Sequence, residues 1–295
     1  MMRRIALGLS ILFVAAGAMA QPAPCVITSF EGYPLGSNGV VMFRQPSFSG
    51  STSGFLAFSQ LCNIPSGVYN CARITDEYAR TGSQSLLVAW QFTGALNAWL
   101  RLTTFNTLNL PNPNIDFSHK VRFWLYVPSS TPDFYLTLGI RESGSSANCG
   151  ANGGTTGGIE FVGSSTAAPP IGVLVDQKDQ WVLVEFDTQN MPLRGFAGAT
   201  ANGQLDTSTG TIEQLAFTPV DPSQVGPYIV YIDDIETVAP GPEGDVNGDG
   251  CVDDADLLQV LFAFGGSDPD ADVNSDGIVD DADLLIVLFN FGSGC

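Results

Sequence analysis

Two twelve-residue segments near the C-terminus carry the densest array of oxygen-bearing side chains in the chain. Asp245–Asp256 reads DVNGDGCVDDAD, and Asp272–Asp283, 27 residues later, reads DVNSDGIVDDAD. Each places side-chain oxygens at positions 1, 3, 5, 9 and 12, with glycine at position 6. Ca²⁺ takes six to eight hard oxygen ligands, and a glycine lets the chain turn sharply around the ion. The spacing therefore assigns Asp245, Asn247, Asp249, Asp253 and Asp256 to one ion, with the Cys251 carbonyl at position 7. It assigns Asp272, Asn274, Asp276, Asp280 and Asp283 to a second, with the Ile278 carbonyl at position 7; position 9 can act through water. Four carboxylates gathered in each loop repel one another, so the segment is expected to fold poorly without calcium.

A second chemistry is written in the middle of the chain. A sugar site needs aromatic faces for pyranose rings and planar polar groups for hydroxyls. In a strand over 121–127, alternation puts Arg122, Trp124 and Tyr126 on one face. In the next strand it puts Tyr135, Thr137 and Arg141 on one face. If Val127–Asp133 is a hairpin connection, the six residues form one carbohydrate-binding patch, with Tyr126 near Tyr135 and Trp124 near Thr137. Trp90 and Trp181 alternate with apolar neighbours and are expected in the core.

Catalytic groups are sparse. His119 is the one histidine, and no G-x-S-x-G elbow accompanies it. Glu142, Glu160, Glu185 and Asp187 could serve a glycosidase, but their sequence context singles out no pair. The size and low carboxylate content of this region suit a binding module better than a full hydrolase.

The elements that must position these groups fall into four stretches. Residues 1–20 have the charged start, apolar run and Ala18-Met19-Ala20 cleavage pattern of a secretory leader. The run is shorter than the ~20 residues of a spanning helix, and no other stretch is long and apolar enough to span, so a secreted protein is expected. Residues 21–238 read as all-β, with strands at Ser85–Phe92, Lys120–Val127, Phe134–Arg141, Trp181–Phe186 and Tyr228–Glu236. That pattern predicts a β-sandwich or jelly roll. Residues 239–244 are a Pro/Gly linker. In 245–295 each loop runs into an apolar helix (257–264 and 284–291) stopped by Gly265 or Gly292, and the helices are expected to leave an apolar surface exposed.

Six cysteines in an oxidising compartment favour disulfides, though spacing leaves their pairing open. Cys62 and Cys71 are close enough along the chain to bridge. If the calcium unit has two-fold pseudosymmetry its ends meet, Cys251 can reach Cys295, and Cys25 is left for Cys149. The net charge is −19 and no basic residue follows Arg194. Nucleic acid, which requires a basic surface, is an unlikely partner.

The tandem loops depart from the EF-hand pattern at position 12, where Asp256 and Asp283 replace Glu. With one helix per loop and a C-terminal location, 243–295 resembles a type I dockerin. The resemblance implies docking to a cohesin-like module on a scaffold or surface protein, with partner choice at positions 10 and 11: Asp254, Ala255, Asp281 and Ala282. This pair is the same in both repeats, so two equivalent faces related by a half turn are expected. Phe30-Glu31-Gly32, Thr81-Gly-Ser-Gln-Ser-Leu86 and Tyr231-Ile-Asp-Asp-Ile-Glu236 are similar to segments of galactose-binding-like sandwiches, which include many carbohydrate-binding modules. That similarity implies a structural Ca²⁺ shared by Glu31 and Asp233. The resulting expectation is a non-catalytic polysaccharide-binding protein docked through its calcium module. The alternatives are a jelly-roll glycoside hydrolase or polysaccharide lyase bearing the same module, and a structural surface protein.

Overall fold

The computed structural model describes residues 24–37, 41–44, 56–57, 71–106, 108–268, 270–274 and 276–295. The expected leader and Cys62 of the expected Cys62–Cys71 bridge lie outside the described residues. The chain separates into two compact units whose boundary, between Pro240 and Gly241, falls inside the Pro/Gly segment.

The first unit is a sandwich of two antiparallel sheets. Sheet 1 runs β11 (Trp181–Phe186), β7 (Lys120–Tyr126), β14 (Tyr228–Val238), β4 (Ser85–Phe92), β2 (Leu56–Ala57). In it β1 (Cys25–Thr28) also pairs with β14, and β3 (Cys71–Thr75) with β4. Sheet 2 runs β12 (Leu193–Ala197), β9 (Ile159–Val162), β8 (Phe134–Arg141), β13 (Thr209–Pro219), β5 (Leu100–Thr103). There β10 (Val173–Val175) pairs with β8, and β6 (Asn114–Asp116) with β13. Period-two alternation builds the shared core: Val121, Phe123 and Leu125 of β7 and Phe134, Leu136, Leu138 and Ile140 of β8 all point into it. Trp90 is fully buried there, stacked on Tyr228 with ring centroids 5.3 Å apart.

Two expectations are corrected. First, β7 and β8 are not a hairpin. β7 lies between β11 and β14, and β8 between β9 and β13. Tyr126 is therefore opposite Trp181 and Tyr231, while Tyr135 is opposite Thr218 and Leu174. Each strand has one wholly apolar face, and both faces are satisfied by packing across a common core. The Val127–Asp133 connection is also longer than the usual ~2–5-residue hairpin loop, enough to cross the ~10 Å between stacked sheets. Second, Trp181 is not in the core. It shares the outer face of sheet 1 with Tyr126 and packs beside Leu87, Ala89 and Tyr231.

The outer face of sheet 2 is tightly packed at its centre. Gly139 of β8 pairs with Gln214 of β13, and a Cβ at Gly139 would lie 2.5 Å from Gln214 Cγ. Gln214 is fully buried and cannot swing into solvent. Gly139→Ala is expected to destabilise the sandwich by ~1–3 kcal/mol through overpacking, seen as a lower urea midpoint with unchanged m-value.

The second unit holds α1 (Asp254–Ala263) and α2 (Asp281–Phe289). Val252, Val260, Ala271, Val279 and Val287 form its core. Its main-chain bridges are reciprocal. Val252 of the first loop bonds Gly292 and Ser293 after α2, and Val279 of the second bonds Gly265 and Gly266 after α1. This half-turn relation brings the unit's ends together, and Cys251 is bonded to Cys295. Cys25 is bonded to Cys149 in the sandwich. Among the described residues no helix is long and apolar enough to cross a membrane.

Candidate functional site

The two Asp-rich loops are built as two copies of one arrangement. Position 9 caps each helix: Asp253 accepts from Ala255 N, and Asp280 from Ala282 N. Position 12 answers it, since Asp256 Oδ2 accepts from Asp253 N and Asp283 Oδ2 from Asp280 N, both at 2.8 Å. This reciprocal capping box satisfies two helix-end donors at once. Asp at position 12 thus reaches its own loop backbone: Asp256 Oδ1 also accepts from Val246 N and Asn247 N. Position 1 bridges to the glycine at position 6, with Gly250 N 2.9 Å from Asp245 Oδ2 and Gly277 N 2.7 Å from Asp272 Oδ2.

The charges are uneven. Burial works against the Asp283 carboxylate, yet the amides of Asp280, Asn274 and Val273 hold it below its ordinary range. Asp245 is pushed up by burial and by the neighbouring Asp256 and Asp249 charges. Its Oδ1 is buried without a hydrogen-bond partner. An orphaned carboxylate oxygen among like charges fits a hard cation, which would supply the missing partner. Among the described residues no three Asp, Glu, His or Cys side chains are drawn together tightly enough to form a metal cluster as they stand; the loop carboxylates are spread onto backbone amides instead.

The positions 10 and 11 of both loops, Asp254, Ala255, Asp281 and Ala282, are solvent-exposed. The exposed surface continues along each helix. Leu258, Leu261 and Phe262 (86% exposed) stand out on α1; Leu285, Leu288 and Phe289 (83% exposed) are their counterparts on α2.

In the sandwich the six residues of the expected sugar patch divide between two outer faces. Arg122, Trp124 and Tyr126 share the outer face of sheet 1, each half-buried, as the alternation required. Trp124 is in a cleft of about 340 Å³ lined also by Val26, Arg80, Thr81, Arg122, Leu183, Asp234 and Glu236. The Arg80 guanidinium lies 4.1 Å from the centroid of the Trp124 ring. Arg122 Nε is 2.8 Å from Glu236 Oε1. Tyr126 stacks on Tyr78 at 4.4 Å beside Tyr231 and Trp181, so an aromatic band crosses the sheet next to the cleft.

The other three belong to sheet 2. Thr137 is fully buried, Arg141 is paired with Glu213 at 2.9 Å, and Tyr135 is half-buried. They do not meet the first three. A register shift between Asp233 and Glu236 breaks the alternation of β14, so period two would have turned Glu236 inward instead of placing it opposite Arg122. Arg80 comes from a loop, where no periodicity announces a side chain's direction.

Glu31 and Asp233, expected to share a calcium, both grip the 80–84 turn. Glu31 Oε1 accepts from Ser83 N and Gln84 N, and the Ser83 amide holds its carboxyl below the ordinary value. Asp233 Oδ2 accepts from Arg80 N; burial pushes its carboxyl up to about 6. Glu185 reaches Lys120 on the outer face of sheet 1, and Asp187 holds the Gln189–Asn190 turn. Glu142 and Glu160 are buried and bonded to the backbone of 202–206.

No family model matches the chain, and no curated relative matches it. Solved structures do. The family 11 carbohydrate-binding module of the cellulosomal cellulase Lic26A-Cel5E of Clostridium thermocellum is 13% identical, covering 74% of this chain and 95% of that one, with a TM-score of 0.38. A family 30 carbohydrate-binding module is 16% identical over 74% of this chain and 99% of that one, at a TM-score of 0.37. An arabinose-bound MgGH51 α-L-arabinofuranosidase is 10% identical over 86% of this chain but 31% of its own, at 0.34. Likeness at this level assigns no ligand and no residue role.

Proposed function

We propose that this is a secreted polysaccharide-binding protein, with a sandwich that holds glycan and a C-terminal unit that closes on two Ca²⁺ and docks to a cohesin-like partner. The two disulfides support an oxidising compartment. The observation that carries the sugar reading is the Trp124 cleft. A pyranose offers apolar C–H faces and a ring of hydroxyls that both donate and accept. The cleft supplies an indole, two guanidiniums (Arg80, Arg122) and two carboxylates (Asp234, Glu236). The Arg80 contact and the neighbouring strands hold the ring in place, so little conformational freedom is lost on binding.

The test is a glycan array probed with the full chain in calcium, followed by titration of the best polysaccharide with wild type and Trp124→Ala. Losing the indole contact, about 1.5 kcal/mol, should weaken binding at least ~10-fold. Trp124 is half-buried and outside the core, so the variant should keep the wild-type fold. A blank array, or equal affinity in a folded variant, rejects the cleft as the sugar site.

A further inference from the structure

We infer that the sandwich contains a divalent-cation site of calcium type under the 202–206 loop, with Glu142 and Glu160 as its anionic ligands. The register of β8 on β9 pairs Ile140 with Glu160 and Arg141 with Ile159. It continues through Glu142 N, which donates to Gly158 O at 2.9 Å. Glu142 and Glu160 are therefore diagonal cross-strand neighbours on one face, the face that carries Ile140 into the core. Glu142 is 5% exposed and Glu160 fully buried.

No basic side chain pairs with either among the described residues; the ion pairs of Arg141, Lys120 and Lys178 go elsewhere. What the two carboxylates hold is the β12–β13 loop. Glu160 accepts from Asn202 N at 2.7 Å and from Gly203 N at 3.0 Å, and Glu142 Oε1 accepts from Asp206 N. Glu142 Oε2 is buried and makes no hydrogen bond of its own, although the Thr207 amide acts on the same carboxylate. Burial raises the Glu142 carboxyl above its ordinary range; the Asp206 and Thr207 amides oppose that shift, and the Asp206 and Glu160 charges add to it.

Two buried like charges without a counter-ion are costly to keep. A proton on Glu142 would remove one charge and leave the Glu160 carboxylate buried without a counter-ion. A cation satisfies the orphaned oxygen and neutralises the set in one step. Beside the two carboxylates, the side chains that the 202–206 loop can turn toward an ion are Asn202, Gln204 and Asp206, all oxygen-bearing, with no imidazole or thiol among them. That favours Ca²⁺, which tolerates irregular shells and water ligands, over zinc, which prefers His and Cys. Because no three acidic, His or Cys side chains cluster as they stand, amide, carbonyl and water oxygens must complete the shell. The outer side of the loop, at Asn202, Gln204 and Asp206, is exposed and gives an ion its way in. This site is distinct from the tandem loops and from the Glu31–Asp233 pair, and it is independent of the sugar-binding reading.

The test uses the full chain carrying Asp245→Ala, Asp272→Ala and Glu31→Gln, which removes the other sites proposed for calcium. After dialysis against micromolar Ca²⁺, elemental analysis should find one ion per chain. The melting temperature of the sandwich, followed by tryptophan fluorescence, should rise with Ca²⁺. Adding Glu142→Gln should abolish both the ion and the rise. Should that variant fail to fold, Asp206→Asn should weaken the ion at least tenfold in a folded chain. A parent variant with no ion and a calcium-independent melt overturns the site. So does an ion held unchanged by a folded Glu142→Gln chain, or by a folded Asp206→Asn chain where Glu142→Gln does not fold.

Discussion

A calcium chelator is expected to melt the Gly241–Cys295 unit and leave the sandwich folded. The unit's core is five fully buried small side chains, four valines and an alanine, too little apolar surface for much stability in a segment of this size. Against it stand Asp245, Asp249, Asp253 and Asp256 in one loop and Asp272, Asp276, Asp280 and Asp283 in the other, with no basic residue after Arg194. If each ion is present at ~1,000 times its Kd, each contributes ~4 kcal/mol. Removing two therefore takes away ~8 kcal/mol, as much as many whole domains possess. The Cys251–Cys295 bridge limits how far the chain can open but does not replace the ions.

The readouts separate cleanly. Trp90, Trp99, Trp124 and Trp181, and every tyrosine, precede Pro240, so tryptophan emission reports the sandwich alone. The two helices of the described chain are both in the second unit, so circular dichroism near 222 nm reports that unit. Chelation should erase the helical signal with emission held. The double variant Asp245→Ala, Asp272→Ala should look chelated even in excess calcium. A helical signal indifferent to both treatments would falsify the calcium assignment.

How far the sequence led depended on whether local pattern and tertiary role agreed. β8 and β11 matched their expected spans because apolar residues facing the core recur at every second position, and β4 because it is a short apolar run buried on both faces. β13, the central partner of β8, was not legible. A register shift between Ile212 and Gln214 breaks its alternation, so inward residues fall at 212, 215 and 217 rather than at every second position. The period-two signal of Arg122, Trp124 and Tyr126 gave their shared face correctly but said nothing about which strand lies alongside. Pairing is a long-range property, and β7 acquired neighbours from 181–186 and 228–238 instead of the next strand in sequence. The cleft's completion by Arg80 and Asp234 was hidden for the same reason. The repeated hydrogen-bond pattern of the two Asp-rich loops follows from local geometry: position 1 reaches position 6, and position 9 exchanges hydrogen bonds with position 12, all within one turn of chain.

Locality also makes the two halves of the C-terminal unit nearly interchangeable, and this has a testable consequence for docking. On α1, Ala255, Leu258 and Phe262 follow the 3–4 spacing of a single helix face, as do Ala282, Leu285 and Phe289 on α2. The reciprocal main-chain bridges relate these faces by a half turn. A partner that recognises one face can therefore recognise the other after rotation. Removing one face by Phe262→Ser should cost only the statistical factor, about twofold or ~0.4 kcal/mol. Removing both with Phe262→Ser and Phe289→Ser deletes an aromatic anchor from either mode. Anchors of this kind are worth ~2–4 kcal/mol, so affinity for a cohesin module should fall roughly 30- to 1,000-fold, as read by calorimetry. Both phenylalanines are more than four-fifths exposed, so neither change should unfold the unit, and the 222 nm signal checks that directly. If Phe262→Ser alone abolishes binding, a single face docks, and differences between the repeats such as Gln259 against Ile286 decide which one. If wild type binds no cohesin module, or the double variant binds as well as wild type, these faces are not the docking surface.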